Sequence, residues 1–190
     1  MGWSNTFKKD FRKDYASKIL RISKDAADAI CHLAENKSID QNKQSLDDTE
    51  HFSTFLEFIY FYLHLTDRFA VNYDMNKEDR RKLITLLADM SIALAVESVC
   101  QRWPEDTKEN IKEECKHNFD IALMEYSECK KELPEEGENP QGTLFWEFGK
   151  KIAMLAGQGG ITFVLTAQDI AVHSLTEGKL DIKSFIEKAR

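Results

Sequence analysis

The chain predicts an all-α fold: an up-down bundle of four to five long helices closed by a short C-terminal helix. Three observations carry this. Only three prolines and eight glycines interrupt 190 residues, so long stretches run unbroken. Those stretches are rich in Ala, Leu, Glu, Lys and Ile, which favour helix. Apolar residues recur in steps of three and four, and no segment sustains strand alternation. The connections are short, which favours antiparallel neighbours. No internal repeat or low-complexity tract divides residues 1–190, so a single domain is expected.

The first helix spans about Asn5 to Ala34, with Phe7, Phe11, Tyr15, Ile19, Ile22 and Leu33 on one face. Asn36–Asp48 is a polar connection. The second helix covers Phe52–Val71 and starts near Thr49. Thirteen of those twenty residues are apolar or aromatic, and seven are Phe or Tyr. Asn72–Asn76 is a turn, and Asn76 with Asp79 carries an N-cap signal for the third helix, Lys77 to Arg102. Trp103–Pro104 ends that helix, because the residue before proline avoids helical geometry. The fourth helix runs from Glu105 to Glu132. Leu133–Gly142 is a loop holding two prolines and two glycines. The fifth runs from Thr143 to Leu175, with a potential break at Gly157–Gly160. Asp181 caps a final helix, Ile182–Ala189. The second, third and fifth helices should be central, and the first and fourth half-exposed.

Composition bounds the function. Hydrophobic content of 42% and charged content of 31% describe an ordinary globular chain. No apolar run reaches the roughly 18–20 residues that span a bilayer. No signal peptide is evident, because Lys8, Lys9, Asp10, Arg12 and Lys13 break the first apolar stretch. A cytoplasmic location is the expectation. Cys31, Cys100, Cys115 and Cys129 contain no CxxC spacing, so buried free thiols are expected rather than zinc or disulfides. Net charge is −7. Residues 105–138 hold twelve acids against five lysines, which argues against nucleic acid. Residues 8–24 carry seven basic side chains.

Catalytic motifs are missing: there is no GxSxG, SxxK or HExxH. Glu114-x-x-His117 matches half of a di-iron pattern. His117 lies about 200° from Cys115 on the helix, so it should face water. Gly157-Gln-Gly-Gly160 follows helix rather than strand and lacks GK[ST], so it is a kink or a close-packing point rather than a phosphate loop. Met1-Gly2-Trp3-Ser4-Asn5-Thr6 meets the loose myristoylation pattern, but Trp3 fits it poorly. Packing of Phe7, Phe11 and Tyr15 in the core is the preferred account of that end.

The remaining candidates are two polar stripes. On the second helix Glu57, His64 and Arg68 share a face, with Asp67 beside them. On the fifth, Asp169 and His173 continue a line through Glu147, Lys151, Gln158, Thr162 and Thr166. If the stripes meet, Glu57, His64, Asp67, Arg68, Asp169 and His173 form a ligand site, with any metal left open. If they face water, they are the solvated sides of two apolar rods. Burying both would desolvate several charges, which favours the solvated arrangement. No motif calls for a cofactor.

Two functions follow. The leading expectation is a non-catalytic interaction or regulatory protein that uses an apolar or aromatic helix face to bind a protein partner or a second copy. The alternative is a ligand- or metal-binding bundle, with or without enzymatic activity, built between the helices at 52–71 and 143–175.

Overall fold

The computed structural model describes residues 3–38, 48–178 and 180–190, with side chains described from Phe11 to Glu35 and throughout the later segments. Seven helices appear among them: α1 (Trp3–Ser38), α2 (Asp48–Asn72), α3 (Lys77–Val99), α4 (Glu105–Ser127), α5 (Leu144–Leu155), α6 (Ile161–Glu177) and α7 (Ile182–Ala189). Among the described residues there is no strand, and no helix is long and apolar enough to cross a membrane. The Met1-Gly2 reading, the side chain of Phe7 and most of the polar connection after α1 lie outside the described residues.

The hydrophobic run of α2 makes it the central helix. It packs against α1, α3, α4, α5 and α7. Every residue from Thr54 to Thr66 is buried. A rod enclosed on all sides has no solvated face, so its polar residues must find partners inside. Its aromatic residues interlock with α5. Phe61 stacks on Phe148 at 4.0 Å, and Phe58 meets the same ring edge-on at 5.0 Å. Each such ring contributes about 2 kcal/mol by leaving water. The tyrosine hydroxyls are paired: Tyr60 donates to the Cys115 carbonyl at 2.8 Å, Tyr62 to the Ala171 carbonyl at 3.3 Å, and Tyr15 pairs with Thr66 at 2.9 Å. The aromatic surface expected to cover a partner helix is therefore spent within the chain.

Several boundaries move for local reasons. Thr143–Leu175 is two helices. Gly157 adopts φ 61°, Gln158 N–H donates to the Ala153 carbonyl and Gly157 N–H to that of Met154, the Schellman closure that ends α5. Gly160, at φ 102°, then opens α6. A Cβ at Gly157 or Gly160 would meet open space. These glycines serve backbone conformation rather than close packing. Close packing is the role of Gly149, where a Cβ would stand 2.7 Å from the Val164 carbonyl oxygen of α6. The fourth helix stops at Ser127, not Glu132. The carbonyls of Lys131 and Glu132 instead accept from the Leu144 and Phe145 amides, the orphan donors at the start of α5. The third helix stops at Val99, where Cys100 and Trp103 form a turn. Both sequence-read caps form: Asn76 accepts from the Asp79 amide and Asp181 from the Ser184 amide.

Candidate functional site

Glu57 and His64 lie seven residues apart on α2 and point the same way, toward α4 and α5. Both are buried. Tyr126 of α4 donates its hydroxyl to Glu57 Oε1 at 2.5 Å. Lys151 of α5 places Nζ 3.3 Å from Glu57 Oε2 and 2.7 Å from Glu125 Oε2. Its ammonium also stands 5.5 Å from the Tyr126 ring centroid, on the ring's negative face. Three helices thus converge on one carboxylate. Burial raises the Glu57 pKa, against the Lys151 charge and the Tyr126 bond. Burial and the adjacent Glu57 charge raise the Tyr126 phenol well above its usual value. Burial alone would lower Lys151, but its two carboxylates outweigh burial and leave it raised.

The second half of the cluster centres on Arg68. Its Nε donates to His64 Nε2 at 2.9 Å. Its Nη atoms donate to Glu132 Oε1 at 3.3 Å, to the Tyr126 carbonyl at 3.2 Å and to the Cys129 carbonyl. Guanidinium has no acceptor, so Nε2 of His64 is bare and the ring proton sits on Nδ1. Among the described residues, that buried Nδ1 has no hydrogen-bond partner. Burial, and then the Arg68 charge, push the His64 pKa down to about 4. The imidazole is neutral at pH 7.

The remaining candidates sit elsewhere. Asp67 turns away from His64 and pairs with Arg80 of α3 at 2.9 Å. Asp169 and His173 are exposed, in a groove of about 780 Å³ between α1 and α6 that Arg21 and Asp25 also line. The structure therefore splits the six expected residues. Glu57, His64 and Arg68 share a buried cluster, Asp67 belongs to the α2–α3 contact, and Asp169 with His173 face solvent. The desolvation argument fails on α2 because Glu57 and Arg68 are each paired several times over. Glu114 and His117 are exposed. Among the described residues no group of three His, Cys, Asp or Glu is placed to hold a metal.

Two partners escaped the sequence. Tyr126 lies on the apolar face of α4. Its one signal was a hydroxyl that must find an acceptor once buried. Lys151 belongs to the polar line read along one continuous helix; the break after α5 turns α6 away and leaves Lys151 against Glu57.

Two surface features flank the cluster. A cleft of about 580 Å³ lies beside Tyr126 and Lys151, lined also by Glu125, Glu128, Glu147 and Lys150. A groove of about 670 Å³ lies where the end of α2, the α4–α5 connection, α6 and the approach to α7 meet. Its walls are Leu65, Phe69, Leu133, Phe145, Val172, Leu175, Leu180 and Ile182. Leu133 is 53% exposed, Val172 44% and Phe69 36%. Glu132, Asp181 and Lys183 form the charged rim. Other exposed apolar residues, such as Met124, Met154 and Trp103, do not line it. No protein-family model matches this chain, and neither does any curated protein or solved structure.

Proposed function

We propose that the protein is a non-catalytic interaction module that binds the apolar side of a basic amphipathic helix in the groove at the end of α2. The observation that carries this is the groove itself. Phe69, Leu133 and Val172 come from three separate segments, yet their exposed surfaces line one concavity. Apolar residues exposed singly need no explanation, whereas several lining one groove mark a binding surface. A volume of about 670 Å³ takes the two or three large side chains that a helix presents at i, i+3 and i+7. Charge selects the occupant. Arg68 engages Glu132 and Lys131 engages Glu135, which leaves Asp181 on the rim and exposed Glu136 just beyond Leu133 against Lys183. A helix with basic flanks meets an attractive field there, and an acidic one is repelled.

Two designed peptides test this, each with the same leucine stripe and either lysine or glutamate on the other face. Fluorescence anisotropy should show the lysine peptide binding at least about tenfold more tightly than the glutamate peptide, a difference of about 1.4 kcal/mol. Val172→Asn should weaken it by a similar factor while leaving the circular dichroism spectrum unchanged. Equal affinities, or indifference to Val172→Asn, would contradict the proposal. Self-association that Val172→Asn abolishes would instead make the occupant a second copy.

One observation favours a ligand site as the second reading: the cleft beside the Glu57–Tyr126–Lys151 cluster. Lys151 is already held by Glu57 and Glu125, and Lys150 by Glu147 at 2.6 Å. A ligand would have to displace these carboxylates. A thermal shift with small carboxylates or amines that disappears in Lys151→Met would move the assignment to the cleft.

A further inference from the structure

One side chain fastens the wall of the groove. Leu133 follows Glu132, and Glu132 is held by Arg68. The same guanidinium takes the carbonyls of Tyr126 and Cys129, at and just beyond the end of α4. Arg68 thus caps α4 from a neighbouring helix, satisfying acceptors that the helix's own amides leave partly free. The segment it holds is the one whose carbonyls receive the first amides of α5.

What orients Arg68 is the bond from its Nε to His64 Nε2. That bond exists only while Nε2 is bare. A protonated imidazole has two donors and no acceptor, and it would set a second cation against the guanidinium in a buried site. Among the described residues, the charged groups around the ring are engaged elsewhere. On its own helix, Asp67 is turned to Arg80 and Glu57 to Tyr126 and Lys151. From α4, Tyr126 offers an aromatic ring 5.6 Å away, and from the α4–α5 connection Glu132 pairs with Arg68. From α5, Lys151 is engaged by Glu57 and Glu125, and Glu147 by Lys150.

We propose that His64 and Arg68 form an acid-released latch on the α4–α5 connection: protonation of His64 swings Arg68 off the end of α4 and loosens the wall that carries Leu133. Acid then weakens binding in the groove. That consequence rests on the functional proposal above, whereas the latch itself can be read with no partner present.

Hydrogen exchange on the full chain tests it. The probes are the amides of Leu144 and Phe145, which donate across the connection to Lys131 and Glu132, and those of Glu128 and Cys129, which donate to Glu125 and Tyr126 at the end of α4. The α3 amides of Leu87–Ala95 report global opening. After correction for intrinsic pH dependence, the connection should exchange about tenfold faster at pH 3.5 than at pH 6.5, with α3 still protected. His64→Gln keeps an acceptor for Arg68 and cannot take up the proton, so the acceleration should vanish. Arg68→Met should exchange fast at both pH values. The latch is wrong if the connection is unprotected at pH 6.5, if its exchange does not change with pH, if His64→Gln accelerates as the wild type does, or if α3 loses protection in step. A groove that binds no peptide leaves these rates untouched, so the two proposals fail separately.

Discussion

Glu57 shows how one residue's cost is spread over three helices. Its carboxylate is buried, yet it accepts from Tyr126 and faces Lys151. Glu57→Gln keeps an acceptor for Tyr126 and should change stability by less than about 1 kcal/mol at pH 7, because the lost ion pair and the lost desolvation cost nearly cancel. Glu57→Ala should cost about 3 kcal/mol, since it leaves a cavity and an unpaired buried hydroxyl. Chemical denaturation of the two variants checks the contrast; equal losses would show that charge, not shape and hydrogen bonding, dominates. His64 has a pH signature. Its folded pKa of about 4 lies below the unfolded value of 6.5. Its neutral form therefore adds stability that is complete above pH 6.5 and lost as pH falls through 4, about 3 kcal/mol in all. Glu57, with a raised pKa, works in the opposite sense as pH falls. Subtracting the His64→Gln curve from the wild-type curve isolates the histidine, and a flat difference between pH 7 and 4 would contradict its assignment. Sequence spacing placed Glu57, His64 and Arg68 on one face. It could not show that the face is enclosed, because that depends on five neighbouring helices.

At the scale of elements, helix periodicity and caps were legible. Asn76 and Asp181 act as read, and α7 matches its expected span. The break offered at Gly157–Gly160 is a full one. Thr143–Leu175 has one hydrophobic rhythm, but the positive φ at Gly157 and Gly160 breaks it. That break leaves Lys151 against Glu57 and turns Asp169 and His173 toward α1. The α5–α6 pair also makes a glycine prediction. Gly149→Ala should destabilise by about 2 kcal/mol through overpacking against Val164, despite alanine's better helix propensity. Gly159→Ala meets open space at a non-positive φ, so it should be neutral or stabilising by up to about 0.5 kcal/mol. Thermal melts of both order them; a Gly149→Ala variant as stable as Gly159→Ala would deny the close crossing.

At the scale of the whole molecule, the fold class could be read from composition and periodicity because helix formation is a local property. The groove could not. Phe69, Leu133 and Val172 lie far apart in sequence, and each looks like an ordinary apolar residue in its own segment. Only the meeting of α2, the α4–α5 connection and α6 gathers them. The long aromatic face of α2 is consumed by the core. The surface left over is smaller and lies at the end of that helix. The same end is tied by Arg68 to the buried cluster, so the binding proposal and the charge network share a wall. Methyl NMR during titration with the lysine-faced peptide tests the central claim most directly. The account predicts that the methyls of Leu133, Val172, Leu175 and Ile182 shift together and saturate, while those of Ile121, Met124 and Met154 stay fixed. Shifts at Met124 and Met154 with the groove methyls unmoved would contradict it.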